Sequence, residues 1–251
     1  MAMHAEATEA QATQGDHRPM ADDQLTTVRA NRALGLTGLA SFALIAVAAF
    51  VQPHLWSAPG TTAAPARVAA YAQEDRGRAV GSLFIYSVAI GVFLCFACGL
   101  WTRLRRDAAD MESISTVFAV GAVALVVLVL AAFAPAAALS YRPQEPAVAQ
   151  ALRDLAFGLL AMSGIPTALC LGAYAALVLR RGCLAAWTGW LALFGAAAHL
   201  LIAASFMDHG GFLSLEGSVI VWVPGIFFAW ILATSLALLW PPADVARPMS
   251  S

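Results

Sequence analysis

Six long runs of apolar residues constrain this chain more than any other feature. A helix needs about 20 apolar residues to cross roughly 30 Å of hydrocarbon, because a bilayer offers the backbone no other hydrogen-bond partners. The runs that meet this length are 34–52, 80–102, 115–139, 152–179, 184–206 and 218–240. The sequence therefore predicts an all-α fold, an integral membrane bundle of six helices.

Composition supports this fold class and excludes one class of partner. The chain has 251 residues, of which 61% are hydrophobic and 12% are charged. Its formal net charge is −1, and phosphate binding requires a concentrated excess of Lys and Arg on one face. We therefore expect the lipid bilayer, and not nucleic acid, to surround the protein. All fourteen basic residues are Arg, a bias typical of a GC-rich bacterial genome.

The two ends of the chain differ from the apolar runs. Residues 1–28 are polar, contain five acidic residues and lack the apolar core of a signal peptide. The sequence predicts that 1–28 is a disordered tail, that the first apolar run is an uncleaved anchor, and that 241–251 is a second tail.

The arginines near the ends of the runs predict the orientation, since they favour the cytoplasmic side. One side receives Arg18, Arg29, Arg32, Arg103, Arg105, Arg106, Arg180, Arg181 and Arg247, and the other receives Arg67, Arg76, Arg78, Arg142 and Arg153. Nine against five places both termini in the cytoplasm. The expected location is therefore the cytoplasmic (plasma) membrane of a bacterium, crossed several times.

Four short motifs carry a resemblance to a known family. They are 68–78 (VAAYAQEDRGR), 152–155 (LRDL), 164–166 (GIP), and 181–184 (RGCL) leading into 187–191 (WTGWL). Over roughly residues 34–240 the chain resembles a family of uncharacterised multi-pass membrane proteins common in actinobacteria, described as a domain of unknown function. The resemblance implies a fold and a location, and it implies no substrate and no catalytic residue.

The stretch 95–106 (CFACGLWTRLRR) raises the question of thiol or metal chemistry. Cys95 and Cys98 share a helix face and could join Cys170 and Cys183 in a metal site, but no His lies at their depth. The alternative is packing, because Gly91, Cys95 and Gly99 form a strip of small side chains that lets membrane helices approach closely. The sequence favours packing and predicts no metal site.

His199 is the most informative polar residue inside a run. An ionisable group in hydrocarbon is costly, so it indicates either function or a satisfied core histidine. Its helical neighbours are small, namely Ala192, Gly195, Ala196 and Ala203. At about 1.5 Å per residue His199 lies roughly 12 Å below the outer end of its span, near the depth of Ser163 and slightly deeper than Tyr86. These residues predict a polar, outward-facing pocket.

Further polar residues lie above this layer. Asp154 is at the mouth of the fourth span, and Asp208, His209 and Glu216 lie in the last outer loop. The carboxylates and the imidazole suit a proton or a divalent cation, and the alternative is a solvated turn.

Three function hypotheses follow. The first is a non-enzymatic binding or accessory protein that takes an apolar or lipid-like ligand, or a membrane-protein partner, without a cofactor. The second is a proton-coupled transporter that uses the same polar residues. The apolar inner half around Cys95 and Cys170 counts against this hypothesis. The third is an intramembrane oxidoreductase based on haem or thiols. No catalytic signature such as HExxH or a phosphate-binding loop occurs in the chain.

Overall fold

The structure, a computed structural model, describes residues 18–51, 59, 63–207 and 218–240. Its helices are α1 (Arg18–Val51), α2 (Pro65–Glu74), α3 (Arg76–Asp107), α4 (Glu112–Tyr141), α5 (Pro146–Met162), α6 (Gly164–Arg181), α7 (Ala186–Ala203) and α8 (Ser218–Leu239). Short 3-10 turns follow α3 (Ala109–Met111) and α7 (Ala204–Met207). Within these described ranges the chain forms no β-strand.

Six segments are long and apolar enough to cross a membrane. They are Thr26–Val51, Arg76–Asp107, Ala109–Tyr141, Pro146–Arg181, Ala186–Ala203 and Trp222–Leu239. Each overlaps one of the predicted runs, so the prediction of an all-α bundle with six spans is confirmed. The protein is a multi-pass membrane protein.

The spans form a closed ring. Helix α1 packs against α3, α3 against α4, α4 against α6, α6 against α7, α7 against α8, and α8 returns to α1. We call the end that carries Arg103, Arg105, Arg106, Arg180 and Arg181 the basic end, and the opposite end the distal end. Helix α1 enters and α8 finishes at the basic end, as expected for termini on one side.

Aromatic side chains fill the centre of the ring. We call Phe93, Phe96, Phe118, Tyr174, Phe227 and Trp230 the aromatic core; each is at most 5% exposed. Trp230 lies edge to face with Tyr174, with ring centroids 5.0 Å apart, and stacks on Phe227 at 5.7 Å. Lipid tails are as apolar as the helices, so helix association in a bilayer depends on packing and not on the hydrophobic effect. Each favourable aromatic pair contributes about 0.5–1.5 kcal/mol.

Close helix contacts depend on particular glycines. A Cβ added at Gly121 would lie 2.8 Å from Cys170 N, so α4 and α6 touch through their backbones. Gly182, with φ of 63°, ends α6 in the left-handed conformation that glycine adopts without strain. The short turn that follows returns the chain as α7.

The predicted strip of small residues on α3 is only partly correct. Gly99 packs against Leu34 of α1, but Gly91 has no neighbour within 4 Å of an added Cβ, and Cys95 and Cys98 are exposed on the membrane face. Four residues advance a helix about 40° past a full turn, so Gly91 and Gly99 point about 80° apart. One face therefore cannot hold the whole strip against a partner helix.

The predicted boundaries change at three places. Helix α1 begins at Arg18, inside the predicted tail 1–28, because extending a helix that the span has nucleated costs little. Residues 1–17 and 241–251 lie outside the described residues. The fourth span begins at Pro146, earlier than predicted, and breaks at Ser163 between α5 and α6. Pro166 is accommodated because it lies in the first turn of α6.

The first distal loop contains a helix that the sequence analysis did not predict. Pro65 occupies the first turn of α2, where its missing N–H is not needed. Val68 and Ala72, four residues apart, are buried, while Arg67 and Ala70 are exposed. Helix α2 is therefore amphipathic, and it packs on α5 across the distal end.

Candidate functional site: a cavity at the distal end

His199 lies inside the bundle, as the small neighbouring residues suggested. It is 5% exposed, its Nδ1–H donates to Gly195 O at 2.8 Å, and its ring lies edge to face with Phe227 at 6.1 Å. The hydrogen bond is within α7 itself, one turn back along the helix. The geometry fits a histidine satisfied by its own helix and packed on the aromatic core.

The other predicted pocket residues occupy separate places. Ser163 donates to Leu160 O at 2.6 Å, within the last turn of α5. Tyr86 is half-buried and packs on Phe133 with ring centroids 6.1 Å apart. Asp154 is exposed on α5 and accepts a hydrogen bond from Gln150 at 3.0 Å. Asp208, His209 and Glu216 lie outside the described residues.

Only the backbones around Ser163 and His199 meet. A Cβ added at Gly164 would lie 2.5 Å from His199 O, so the start of α6 touches α7 at this depth. The side chains of Ser163 and His199 make their hydrogen bonds within their own helices. The described contacts therefore do not gather the four predicted residues into one pocket.

A cavity of about 450 Å³ lies instead at the distal end, between α2, α3, α4 and α5. Its apolar wall consists of Val68, Ala70, Ala72, Ala79, Leu83, Ala136, Leu139, Ala156 and Phe157, with Pro59 at one edge. Its polar wall consists of Arg67, Tyr71, Glu74, Asp75, Ser140 and Arg153. The volume lies within the range of small-molecule sites, and the cavity is partly open to its surroundings.

The cavity lies far from the basic end along α3. Ala79 and Leu83 line it from α3, 22 and 18 residues before Trp101 at the basic end. At 1.5 Å per residue these positions are about 27–33 Å from Trp101, a distance close to the thickness of a hydrocarbon core.

Arg153 is the buried charge of this cavity. Only 7% of it is exposed, and its guanidinium lies 5.4 Å from the centre of the Phe157 ring. A guanidinium over an aromatic face gains cation–π attraction while its five N–H groups still donate hydrogen bonds. The cavity wall thus carries a buried positive charge beside apolar surface.

Helix α2 covers the cavity and is anchored at its end. Gln73 Nε2 donates to Leu139 O on α4 at 3.3 Å, and Val68 and Ala72 are buried beneath the helix. Just beyond α2, the Arg76 guanidinium lies 5.6 Å from the centre of the Tyr141 ring. These contacts hold α2 across the distal ends of α4 and α5.

Sequence reasoning placed Arg153 among the outer arginines and did not recognise it as a cavity residue. The sequence does carry one signal, which is the helical spacing of Ala149, Arg153 and Ala156. In the structure all three of these residues are buried. An arginine flanked by two alanines on one helix face indicates a guanidinium that points into the protein.

Hydroxyl groups form a second buried polar cluster, in the basic half of the bundle. The Tyr174 hydroxyl is 2.8 Å from Thr188 Oγ1 and 3.3 Å from Thr234 Oγ1, which links α6, α7 and α8. All three residues are fully buried. The inner half therefore contains buried polar groups besides the apolar region around Cys95 and Cys170.

Ion pairs and hydrogen bonds cover the basic end. Arg103 donates to Asn31 Oδ1 at 2.7 Å and to Cys183 O at 3.3 Å, and it pairs with Asp107 at 3.3 Å. Arg105 pairs with Glu112, and Arg181 pairs with Asp110. These contacts join α1, α3, α4 and α6 at their ends.

The cysteines do not form one site. Cys170 is buried, Cys95 and Cys98 are exposed on α3, and Cys183 is half-buried in the turn after α6. Burial raises the pKa of the Cys183 thiol, and the nearby Asp107 carboxylate raises that pKa further. In the part of the chain that the structure describes, no three His, Cys, Asp or Glu residues lie close enough to hold a metal ion.

Comparison with protein-family models, curated proteins and solved structures finds no match to this chain.

Proposed function

We propose that this chain is a non-enzymatic membrane protein that binds a small amphipathic ligand in its distal cavity. The observation that carries the proposal is the cavity of about 450 Å³, which joins an apolar wall to the buried Arg153. An amphipathic molecule matches both parts of such a wall, because its chain contacts the apolar residues and its head contacts the polar ones. The pocket differs from the predicted one in its residues but shares its outward position.

A pair of alanines on α4 offers a matched test. Ala136 lines the cavity, whereas Ala138, two residues along the same helix, is exposed. We expect Ala136→Phe to fill the cavity, and Ala138→Phe to place the same ring outside it. The probe is a phospholipid with a diazirine near its head, incorporated at low abundance in nanodiscs that contain the whole protein.

After irradiation, peptides from α2 and α5 should carry the label in the unchanged protein and in Ala138→Phe. We expect a loss of at least fivefold in Ala136→Phe. Equal labelling of these peptides in both variants would refute ligand binding in the cavity. A thermal unfolding curve for each variant shows whether the protein is intact.

We also propose that the protein belongs to the actinobacterial family that it resembles and lies in a bacterial cytoplasmic membrane with its basic end inside. The support is the set of shared motifs and the bias of nine arginines against five. Fusions of alkaline phosphatase and of green fluorescent protein to each end test the orientation. Phosphatase activity from either terminal fusion would overturn it.

Proton-coupled transport is the second candidate, and the hydroxyl cluster of Tyr174, Thr188 and Thr234 favours it. Hydroxyls can pass protons along hydrogen bonds, and this cluster lies in the half of the bundle where a route to the basic end is needed. Two other rings of the aromatic core, Trp230 and Phe227, lie in contact between Tyr174 of this cluster and His199. A proton flux in proteoliposomes that Tyr174→Phe abolishes would support transport, and no flux above that of empty liposomes would exclude it.

A further inference from the structure

Trp230 carries a hydrogen-bond donor without a partner at the centre of the bundle. Its side chain is completely buried in the aromatic core, and its Nε1–H meets no acceptor among the residues that the structure describes. A donor that has left water without gaining an acceptor is costly in an apolar interior. Ordered water molecules commonly satisfy such groups in folded proteins.

The indole lies directly beside the hydroxyl cluster of Tyr174, Thr188 and Thr234. The rings of Trp230 and Tyr174 meet edge to face, with centroids 5.0 Å apart. Thr234 follows Trp230 by four residues on α8, so the two side chains are neighbours on one face of that helix. The Tyr174 hydroxyl lies 3.3 Å from Oγ1 of the same threonine. Each of these three side chains is thus a neighbour of the other two.

The directions of the hydrogen bonds in the cluster follow from the number of protons. Each hydroxyl has one proton to donate and lone pairs that accept. Thr188 donates its proton to Ala185 O at 2.7 Å, so Thr188 Oγ1 accepts from the Tyr174 hydroxyl at 2.8 Å. Because the proton of Tyr174 is used in this way, Tyr174 accepts from Thr234 at 3.3 Å. Thr234 Oγ1 then receives no hydrogen bond from any described residue and is a free acceptor.

We propose that Trp230 and Thr234 bind one buried water molecule. The water oxygen accepts a hydrogen bond from Trp230 Nε1–H, and one water proton is donated to Thr234 Oγ1. These two groups are the minimum for a buried water, which has about two to four polar partners. The hydrogen bonds then form one chain from Trp230 through Thr234 and Tyr174 to Thr188 and Ala185 O, which joins α8, α6 and α7.

Burial indicates that the ligand of this site is water and not a larger molecule. Trp230, Tyr174, Thr188 and Thr234 have no exposed surface, and none of them lines the distal cavity. A water molecule takes up only roughly 30 Å³. The site is therefore separate from the distal cavity and does not depend on a ligand there.

Hydroxyl-radical footprinting with an X-ray pulse detects such a water. The pulse splits a bound water in place, so a fully buried side chain is oxidised only where a water lies beside it. The sample is the complete protein in nanodiscs, and each oxidation rate is divided by the rate of the same residue after unfolding in SDS. Phe93 is the internal reference, because it is equally buried and packs on Phe96 and Phe227. We expect this ratio to be at least fivefold higher for Trp230 than for Phe93.

Two adjacent residues on α8 provide matched variants. Thr234→Val removes the hydroxyl that receives the water proton and keeps the shape of the side chain. Ser235→Ala removes a hydroxyl that is equally buried but donates to Ile231 O within its own helix. We expect the Trp230 ratio to fall at least fivefold in Thr234→Val and to stay unchanged in Ser235→Ala. Thr234→Ser keeps a hydroxyl at the site and should keep the ratio high.

Every outcome of these measurements decides for or against the water. A Trp230 ratio as low as that of Phe93 in the unchanged protein would overturn the inference, and the face of the Tyr174 ring would then be the acceptor of the indole N–H. A high ratio that Thr234→Val leaves unchanged would show that the water is not bound to Thr234. An equal fall in Ser235→Ala would show that loosened packing, and not the lost hydroxyl, changes the ratio, and it would overturn the inference as well.

Discussion

The contact between α4 and α6 at Gly121 gives a quantitative test of the packing. In Gly121→Ala, the new Cβ would lie 2.8 Å from Cys170 N and 3.0 Å from Pro166 O, which are both backbone atoms. Ordinary contacts begin near 3.4 Å, so the two helices must separate locally by about 0.6 Å, because backbone atoms cannot turn aside as a side chain can. Such overpacking costs about 1–3 kcal/mol.

Gly91→Ala is the matched control on α3. Gly91 is also inside a membrane helix, but an added Cβ there meets no atom within 4 Å. Replacing glycine by alanine raises helix propensity by about 1 kcal/mol in both variants. We therefore expect Gly121→Ala to be less stable than Gly91→Ala by about 1–3 kcal/mol.

The assay is reversible unfolding in mixed micelles of dodecyl maltoside and SDS, followed by tryptophan fluorescence. Extending each series to Val and Leu should lower the free energy of unfolding stepwise at Gly121 and leave it nearly constant at Gly91. Equal free energies in the two series would refute the backbone contact between α4 and α6.

Two further predictions concern the basic half. Tyr174→Phe should lower the free energy of unfolding by about 0.6–1.7 kcal/mol, because it removes the hydroxyl shared by two threonines, whereas exposed Tyr141→Phe should have almost no effect. Equal losses in the two tyrosine variants would contradict the hydroxyl cluster. The raised pKa of Cys183 keeps its thiol protonated to higher pH. In a variant whose only cysteine is Cys183, this thiol should react with iodoacetamide at pH 8 more slowly in the folded protein than after unfolding in SDS. The reaction of the folded protein should become faster as the pH rises. Asp107→Asn should speed the reaction, and identical rates before and after unfolding would show that Cys183 is not shielded.

The spans were predictable because one physical requirement dominates them. Backbone groups in hydrocarbon have to bond within the helix, so each span appears in the sequence as an uninterrupted apolar run. The predicted run 152–179 did not include the break at Ser163, although Pro166 favours a new helix start at that point. Both signals are local and need no knowledge of which helices are neighbours.

The site was harder to predict because it depends on which helices lie next to each other in the bundle. Gly91 and Gly99 have the same chemistry, yet only Gly99 faces another helix. His199 was conspicuous in an apolar run, but a carbonyl one turn away satisfies it. Arg153 lies near the start of a predicted span, where an arginine is expected at the membrane surface, so the apolar run alone did not indicate that it is buried.

The contact between α1 and α8 has a consequence for the biosynthesis of the chain. Gly35 and Gly38 of α1 lie against Leu239 and Ser235, which are among the last described residues to be translated. Helix α1 can pack on α3 as soon as α3 has been made, but its contact with α8 forms only after the other described helices have been made. A chain that stops before α8 would keep the contact of Gly38 with Phe96 of α3 but would leave Gly35 facing lipid, so the closing of the ring depends on the last described helix.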